Sequence, residues 1–278
     1  MVLESVMDIK SKVKKGYNSV AEVWHKSRIT TFKDGADTRL LKQNRPHLFV
    51  EKPAMMSRIK SLSGKNVLTL GCGSGEECQE ILLKKPDKLT GVDISDKLIE
   101  IARSTVTGVE FFNMDAENLE FENQTFDFVY CSLMMDYFES WERVLNEVYR
   151  VLKPGGIFQF SNLHPVKWSA ESFKDSDGKS VRTSMGFEKD PKTKKVDIHG
   201  DYLGTILHEE VWNNGMEISY FTKPISLMFK EIRNAGFLVN ALEEPKAIDE
   251  AKEHDMGYWE IKQKIPDFVI FECQKPLV

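Results

Sequence analysis

The stretch that decides the fold is Val67–Glu77, which reads VLTLGCGSGEE. An apolar run ends directly at Gly71, Gly73 and Gly75, and a segment with apolar residues near helical spacing follows. This pattern predicts a buried strand, a tight turn and a helix. Because glycines tolerate positive φ, the backbone N–H groups of such a turn can approach a ligand beside the helix N-terminus. A tight turn that binds no ligand is the alternative.

Short β-branched runs alternate with helical patterns around this turn. Strands are predicted at Asn66–Leu70, Lys88–Val92, Val109–Asn113, Phe126–Cys131 and Ile157–Ser161, and helices at Glu76–Lys85, Ser95–Ser104 and Glu139–Leu152. Ser95 is expected to cap its helix, and the segment Lys153–Gly156 is expected to terminate the last helix. The alternation predicts parallel strands joined by right-handed crossovers, which is a doubly wound α/β sheet.

Three further regions flank this alternation. Residues 1–65 are predicted to be helical with a break at Arg45-Pro46, and residues 162–222 to form an inserted β-rich cap of two or more antiparallel strands. The α/β pattern resumes with a helix at Pro224–Ala235 and with strands at Phe237–Glu243 and Asp267–Gln274.

Composition excludes several classes of protein. The chain has 278 residues, of which 41% are hydrophobic and 29% charged, as in a soluble globular protein. Its net charge of −5 offers no basic surface for nucleic acid, and no apolar run approaches the ~20 residues that a membrane span requires. The N-terminus lacks the features of a signal peptide. Four scattered cysteines and six histidines without ligand spacing predict no metal site and a cytoplasmic protein.

An acidic residue, Asp93, ends the second predicted strand in GVDIS. A carboxylate there can accept hydrogen bonds from both ribose hydroxyls of a dinucleotide or of a nucleoside methyl donor. The glycine spacing, GxGxG, differs from the dinucleotide pattern GxGxxG, and Glu76 and Glu77 follow where they would repel a pyrophosphate. These features favour a ligand with a cationic centre, and an NAD-dependent oxidoreductase remains an alternative.

The ordered motifs resemble those of the class I S-adenosylmethionine-dependent methyltransferases, in particular the type 11-like branch that acts on small molecules. The resemblance rests on VLTLGCGSG, GVDIS, FFNMDAENLEF, FDFVYCSL and RVLKPGGIFQFS. It implies a Rossmann-like seven-stranded sheet in the order 3-2-1-4-5-7-6 with strand 7 antiparallel. It also implies S-adenosylmethionine as the donor, S-adenosylhomocysteine as the product and a small-molecule acceptor. Residues 66–161 and 223–278 would form the donor-binding domain, residues 1–65 an N-terminal helical cap and residues 162–222 the substrate cap.

The resemblance implies a role for individual residues around the donor. By role, these are Tyr17 and Arg28 for the methionine carboxylate; Gly71, Cys72, Gly73 and Gly75 for the methionine portion; Asp93 for the ribose; Ile94, Asp115 and Ala116 for the adenine; and Cys131, Ser132 and Leu133 around the sulfonium and methyl. Thr69 departs from the family, whose members usually carry an acidic residue there to order the glycine turn. A non-catalytic donor-binding protein therefore remains an alternative function.

Methyl transfer from a sulfonium needs a protein base only where the acceptor must lose a proton. His164 follows the fifth strand in SNLHP, at the edge where open α/β sheets bind ligands, and is the predicted general base. A histidine that structures the turn before Pro165 is the alternative. Glu51 is interpreted either as facing the donor or the acceptor, or as a solvated glutamate.

Aromatic residues are concentrated in and after the predicted cap. They are Trp168, Tyr202, Trp212, Tyr220, Tyr258 and Trp259. Aromatic side chains above the carboxyl edge of a sheet are typical of a pocket for a flat or apolar acceptor. Alternatively, they form the small core of the cap itself. The oligomeric state is left open.

Overall fold

The computed structural model describes residues 2–30, 44–170, 172–174, 180–182, 185–212 and 215–277. The helices are α1 Val2–Ile29, α2 Lys52–Arg58, α3 Glu76–Leu82, α4 Asp96–Thr105, α5 Glu142–Val151, α6 Pro165–Trp168, α7 Ile225–Asn234, α8 Ala251–His254 and α9 Met256–Lys262. The strands are β1 Asn66–Leu70, β2 Lys88–Asp93, β3 Glu110–Asn113, β4 Phe126–Cys131, β5 Leu152–Leu163, β6 Ser172–Lys174, β7 Ser180–Arg182, β8 Gly186–Lys189, β9 Val196–His199, β10 Ile206–Val211, β11 Glu217–Thr222, β12 Leu238–Glu243 and β13 Phe268–Gln274.

Seven of these strands form the central sheet, in the spatial order β3-β2-β1-β4-β5-β13-β12. Numbered within the sheet alone, the order is 3-2-1-4-5-7-6. The pairs from β3 to β5 are parallel, and β13 is antiparallel to both of its neighbours. The predicted doubly wound, Rossmann-like sheet is therefore confirmed. The strand order reverses between β1 and β4, and ligands of open α/β sheets bind at the carboxyl edge of such a reversal.

The local sequence explains the elements around this reversal. Val67, Leu68 and Leu70 of β1 are fully buried, as expected of a strand covered by helices on both faces. Ser95 caps α4 as predicted, because its Oγ accepts the N–H of Leu98 at 3.1 Å. The apolar stripe of α5 includes Val148, which is fully buried in the largest core cluster. Burial of these apolar faces on the sheet is the main stabilising contribution of the domain.

The helix α5 ends at Val151, just before Lys153–Gly156, as predicted. The predicted start of the fifth strand at Ile157 is wrong, because β5 begins at Leu152 and includes Lys153–Gly156. Its partner lies near the C-terminus, where the N–H of Gly155 donates to Lys275 O at 2.9 Å and the N–H of Lys275 donates to Gly156 O at 2.9 Å. The ammonium of Lys275 also donates to Leu152 O. This long-range pairing extends the strand beyond its local pattern.

The predicted break at Arg45-Pro46 is also wrong. Residues 44–46 are helical, and a π-helical turn, His47–Glu51, continues them into α2. The backbone of Pro46 is helical, with φ −60° and ψ −41°. The N–H groups in the first turn of a helix have no intrahelical acceptor, so a proline, which lacks this N–H, is tolerated there. The prediction of helix across residues 31–43 lies outside the described residues.

Among its described residues, the region of the predicted cap contains three separate two-stranded antiparallel sheets, β6–β7, β8–β9 and β10–β11. The last of them packs on α1, where Val13 and Val20 meet Met216 and Ile218 in one buried cluster. Gly16 makes this contact close, since a Cβ at this position would lie 2.7 Å from Glu217 O. The helix and the hairpin together thus roof one end of the central sheet.

The helix α1 is the longest of the described elements, at 28 residues, and it carries charged side chains along its length. None of the helices in the ranges described is both long enough and apolar enough to cross a membrane.

The turn after β1 provides a test of the fold. Gly75 has φ +83°, and a Cβ there would lie 3.0 Å from Phe111 Cζ and 3.1 Å from Val106 Cγ2. We expect Gly75→Ala to lower the free energy of unfolding by about 3 kcal/mol, from backbone strain and overpacking together. Gly64→Ala is the matched control, because Gly64 has φ +76° with nothing within 4 Å, and should cost only about 1 kcal/mol. Urea denaturation measures both, and equal losses would contradict the packing argument.

Candidate functional site

A cavity of about 500 Å³ lies at the carboxyl edge of the sheet, at the reversal between β1 and β4. Its walls come from the turn after β1, the ends of β2, β3 and β4, the helix α1 and the β10–β11 hairpin. A cavity of this size is typical of small-molecule sites, which span about 300–1,000 Å³. Eleven of the predicted site residues line it: Tyr17, Arg28, Gly71, Cys72, Gly73, Asp93, Ile94, Asp115, Ala116, Ser132 and Leu133.

The glycine turn is held by a carboxylate rather than by its own hydrogen bonds alone. Asp93 Oδ2 accepts the N–H of Gly73 at 2.9 Å, and Oδ1 accepts the N–H of Ser95 at 2.8 Å. Burial raises the pKa of Asp93 to about 6, against the lowering effect of these two N–H groups. Each oxygen keeps a second lone pair for a ligand hydroxyl. Gly75 does not line the cavity, and it serves as the left-handed N-cap of α3.

The loops after β2 and β3 form the next part of the wall. The side-chain amide of Asn113 donates to Ile94 O at 2.8 Å and to Asp93 O at 2.9 Å, which ties the two loops together. Ile94 and Ala116 offer apolar surface. Asp115 Oδ2 pairs with the ammonium of Lys10 on α1 at 2.7 Å, and Oδ1 accepts the N–H of Glu117.

Arg28 reaches from α1 into the opposite end of the cavity. Its Nε donates to Glu76 Oε1 at 2.5 Å and its Nη2 to Glu77 Oε1 at 2.6 Å. Burial raises the pKa of the Glu76 carboxyl, but the charge and hydrogen bond of the Arg28 guanidinium outweigh this effect, so that the pKa of Glu76 is lowered. The same guanidinium lies 5.5 Å from the centre of the Trp24 ring. The first turn of α3 and the end of α1 are thus joined by a nearly buried ion pair.

Three side chains beside this ion pair are the group most able to hold a metal in the described part of the chain. The donor atoms of His47, Glu51 and Glu77 all lie within 4.8 Å of one another, whereas the sequence predicted no metal site. His47 Nδ1 lies 2.8 Å from Glu51 Oε2, while its buried Nε2 has no hydrogen-bond partner. Burial lowers the pKa of His47 to about 3, so its imidazole is neutral. Arg28 already supplies the positive charge that a metal ion would bring to Glu77.

Glu51 is not solvated, which settles one of the interpretations of its role. It is fully buried, and its Oε1 accepts hydrogen bonds from Ser161 Oγ at 2.5 Å and Ser132 Oγ at 2.9 Å. Burial raises the pKa of this carboxyl. Thr69, by contrast, does not join the polar cluster, because its Oγ1 contacts Cys78 Sγ and Thr90 O. Thr69, which stands where the family usually has an acid, therefore lies outside the polar cluster that contains Glu51 and Glu77.

The turn after β4 brings Ser132, Leu133 and an unpredicted residue, Asp136, to the cavity. Leu133 is held at φ +49°, an uncommon conformation for a non-glycine residue, by the bond from its N–H to Ser161 Oγ. Asp136 is 4% exposed, and burial raises its pKa to about 8. Its carboxyl accepts the N–H of Leu163 at 3.3 Å. Cys131 is not brought to the cavity, because its side chain is fully buried in the main core.

His164 also lies away from the cavity wall. Its Nδ1 accepts the N–H of Val166 at 3.1 Å, which caps α6, and its Nε2 lies 2.6 Å from Glu244 Oε1. Burial lowers its pKa, against the opposing effect of Glu244. This arrangement matches the alternative interpretation of a histidine that structures the turn before Pro165. The catalytic role of His164 stays a prediction.

The remaining side of the cavity is aromatic, and we call it the aromatic wall. It consists of Tyr17, Trp24, Tyr137, Trp168, Trp212 and Tyr220. The hydroxyls of Tyr17 and Tyr137 lie 2.5 Å apart, and burial raises the pKa of each phenol. Of the other predicted aromatics, Tyr202, Tyr258 and Trp259 are not part of the lining.

The sequence missed Asp136, Trp24, His47 and Glu77 as site residues. Asp136 follows β4 at the carboxyl edge of the sheet, a position that the fold rule favours for ligand contact, so a signal was present. His47 and Glu51 are four residues apart, which places them on one face of a helical segment. For Trp24 no local signal distinguishes a cavity residue from a core aromatic.

The sheet order and this cavity define the class I S-adenosylmethionine-dependent methyltransferase fold. Residues 68–160 match a family model described as "Methyltransferase domain". The crystal structure of an S-adenosylmethionine-dependent methyltransferase from Mesorhizobium loti superposes with a TM-score of 0.61 at 21% identity, over 80% of this chain and 96% of that one. Residues 68–160 therefore carry a methyltransferase domain, and the superposition shows that the chain has the fold of an S-adenosylmethionine-dependent methyltransferase.

Two further similarities set the limits of this assignment. A phthiotriol/phenolphthiotriol dimycocerosates methyltransferase of Mycobacterium ulcerans is 33% identical over 148 residues, which are 49% of this chain and 55% of that protein. This chain thus spans about half the length of that relative. The cyclase SpnF superposes with a TM-score of 0.55 at 16% identity, over 96% of each chain. A protein named as a cyclase therefore shares this fold, and methyl transfer must be argued from the site.

The ion pair of Arg28 gives a testable prediction. Arg28→Met leaves Glu76 and Glu77 nearly buried without their cation, and we expect a loss of about 3 kcal/mol in the free energy of unfolding at pH 7. The matched control is Lys97→Met, which breaks the exposed pair with Glu100 (side chains 54% and 61% exposed) and should cost less than about 1 kcal/mol. Thermal and urea denaturation measure both. Equal small losses would show that the Arg28 pair is not structural.

Proposed function

We propose that this protein transfers a methyl group from S-adenosylmethionine to a small-molecule acceptor by in-line displacement. One observation carries the proposal: a single cavity joins the glycine turn and Asp93 to the aromatic wall. Donor and acceptor therefore have adjoining places in one enclosed space. Holding the acceptor atom about 3–3.5 Å from the methyl, with water excluded, is the main task of such an enzyme.

The part of the cavity lined by the glycine turn and the loops after β2 and β3, which we call the donor half, has side chains that fit this donor. Asp93 offers two carboxylate oxygens to a ribose, while Ile94 and Ala116 offer apolar contact to a purine. At the other end of the cavity, Arg28 can pair with an α-carboxylate, and Glu77 can accept a hydrogen bond from an α-ammonium. The donor brings an activated methyl on a positively charged sulfur when it is bound. The protein residues position that methyl and stabilise the surrounding charges.

We further propose Asp136 as the group that accepts a proton from the acceptor. It lies on the cavity wall directly after β4, and it is followed by Tyr137 of the aromatic wall. Its carboxyl accepts the N–H of Leu163 at Oδ1 and a further hydrogen bond from the side chain of Asn162. The lone pairs that these bonds leave can accept a proton from a bound acceptor. A base works best when its pKa is close to the working pH, and burial brings the pKa of Asp136 to about 8.

The donor half is tested by calorimetry with S-adenosylhomocysteine and with NADH. We expect binding of the first and none of the second, and a loss of at least about tenfold in affinity for Asp93→Asn, since the amide offers one oxygen where the carboxylate offers two. Glu110→Gln, an exposed residue at the other end of β3, is the control with the same charge change. Binding of NADH in place of S-adenosylhomocysteine would establish the oxidoreductase alternative.

Transfer itself is tested by incubating the protein with labelled donor and cell extract, followed by mass-resolved detection of labelled products. A labelled small molecule that depends on the protein is the expected result. Tight donor binding with no labelled product would favour a non-catalytic donor-binding protein.

The base is tested by the pH dependence of that labelled product. Turnover should rise with pH through about 8, because Asp136 accepts a proton only in its ionised form. Asp136→Asn should lower turnover by about 10²–10⁴-fold and abolish the rise. His164→Ala should retain the pH dependence. A profile that is lost with His164→Ala and kept with Asp136→Asn would return the role to His164.

A further inference from the structure

The acceptor end of the cavity combines aromatic faces with negative charge. Tyr17 and Trp24 meet edge to face with centroids 5.1 Å apart, and Trp24 and Trp212 are stacked at 6.2 Å. An aromatic face carries a partial negative charge from its π-system and attracts cations, while it also offers apolar contact area. The aromatic wall therefore suits a ligand that is both apolar and cationic.

The charges of the cavity lining point in the same direction. Six carboxylates line it: Glu76, Glu77, Asp93, Asp115, Asp136 and Glu210. Among the described residues, two basic side chains line it, Lys10 and Arg28, and both are paired with carboxylates of the donor half. Asp136 and Glu210 lie in the part of the cavity under α1 and the β10–β11 hairpin, which we call the acceptor half. An anionic acceptor would meet an unfavourable potential there, whereas a cationic acceptor would be attracted.

The neighbours of Asp136 leave its carboxylate available for such a ligand. Burial raises the pKa of Asp136, against the lowering effect of the buried ammonium of Lys223. That ammonium donates its hydrogen bonds to Glu231 Oε2 and Glu139 O, both at 2.8 Å, and lies over the Trp141 ring. Lys223 does not line the cavity. Where Asp136 is ionised, above its pKa of about 8, a neutral acceptor would cover the carboxylate without supplying a counter-charge, which is costly for a buried group. A ligand ammonium would pair with the carboxylate directly.

We propose that the acceptor is a cationic amine, held between Asp136 and the aromatic wall, and that the methyl is transferred to its nitrogen. This inference rests on the proposed function and specifies the acceptor class of that same site. The ammonium first gives a proton to the Asp136 carboxylate, and the freed nitrogen lone pair forms the new N–CH₃ bond. The C–S bond breaks as this bond forms, and its electron pair stays on sulfur, which becomes a neutral thioether. The proton on Asp136 then leaves to solvent.

The experiment compares three probes of similar shape on the complex with S-adenosylhomocysteine. They are phenyltrimethylammonium as the cation, 2-phenyl-2-propanol as the neutral counterpart and benzenesulfonate as the anion. By calorimetry at about pH 9, where Asp136 is ionised, we expect the cation to bind about tenfold more tightly than the neutral alcohol, and the anion more weakly than both. Asp136→Asn should remove most of this preference, and Trp212→Leu should weaken binding of the cation.

A matched control variant and a separate measurement of S-adenosylhomocysteine binding make the outcome decisive. Glu188→Gln removes one negative charge from an exposed residue of β8 and should leave the preference for the cation unchanged. Equal binding of the cation and the alcohol, or no binding of the cation, would overturn the amine proposal while S-adenosylhomocysteine still binds. Tightest binding of the anion would overturn it as well. If S-adenosylhomocysteine itself fails to bind, the proposed function falls first and the amine proposal with it.

Discussion

The guanidinium of Arg28 is the interaction on which the site depends. It joins the end of α1 to Glu76 and Glu77 in the first turn of α3, directly beside the glycine turn. Without this cation, two carboxylates would be nearly buried at one place, which is unfavourable in a low dielectric. Because α1 is fixed at this point, the rest of the helix lies over the sheet edge and carries Tyr17 and Trp24 to the cavity. The enclosure of the site therefore depends on this ion pair together with the packing of α1 on the β10–β11 hairpin.

The polar groups behind that pair form a connected network. Glu77 accepts a hydrogen bond from the Tyr130 hydroxyl at 2.5 Å and lies beside His47. His47 is hydrogen-bonded to Glu51. Glu51 accepts hydrogen bonds from the hydroxyls of Ser132 and Ser161. Nearly all of its members are fully partnered, which is what makes a buried polar network compatible with stability. The exception is His47 Nε2, which is buried and has no hydrogen-bond partner. Thr69 stands outside the network, because its Oγ1 contacts Cys78 Sγ and Thr90 O.

The cavity is divided by chemistry into two halves. The half at β1, β2 and β3 pairs each basic side chain with carboxylates and presents backbone groups, as a site for a zwitterionic nucleoside should. The half under α1 and the β10–β11 hairpin presents aromatic faces with Asp136 and Glu210. The first half follows the motifs of the domain, whereas the second is built from segments outside them. Proteins that share this domain but differ in the segments that cover the cavity can therefore bind different acceptors.

The sequence by itself determined the central sheet and the part of the cavity that contains the glycine turn and Asp93. The glycine turn, Asp93 and the apolar runs of β1 and β4 are local patterns, and local patterns fix the elements and their order. Only the tertiary structure decided the pairing of Arg28 with Glu77, 49 residues away, and the placing of His164 outside the cavity. It also decided the extension of β5 through Lys153–Gly156, which depends on Lys275. Such contacts join residues that are far apart in the chain, and a local sequence pattern does not predict which distant residue will be the partner.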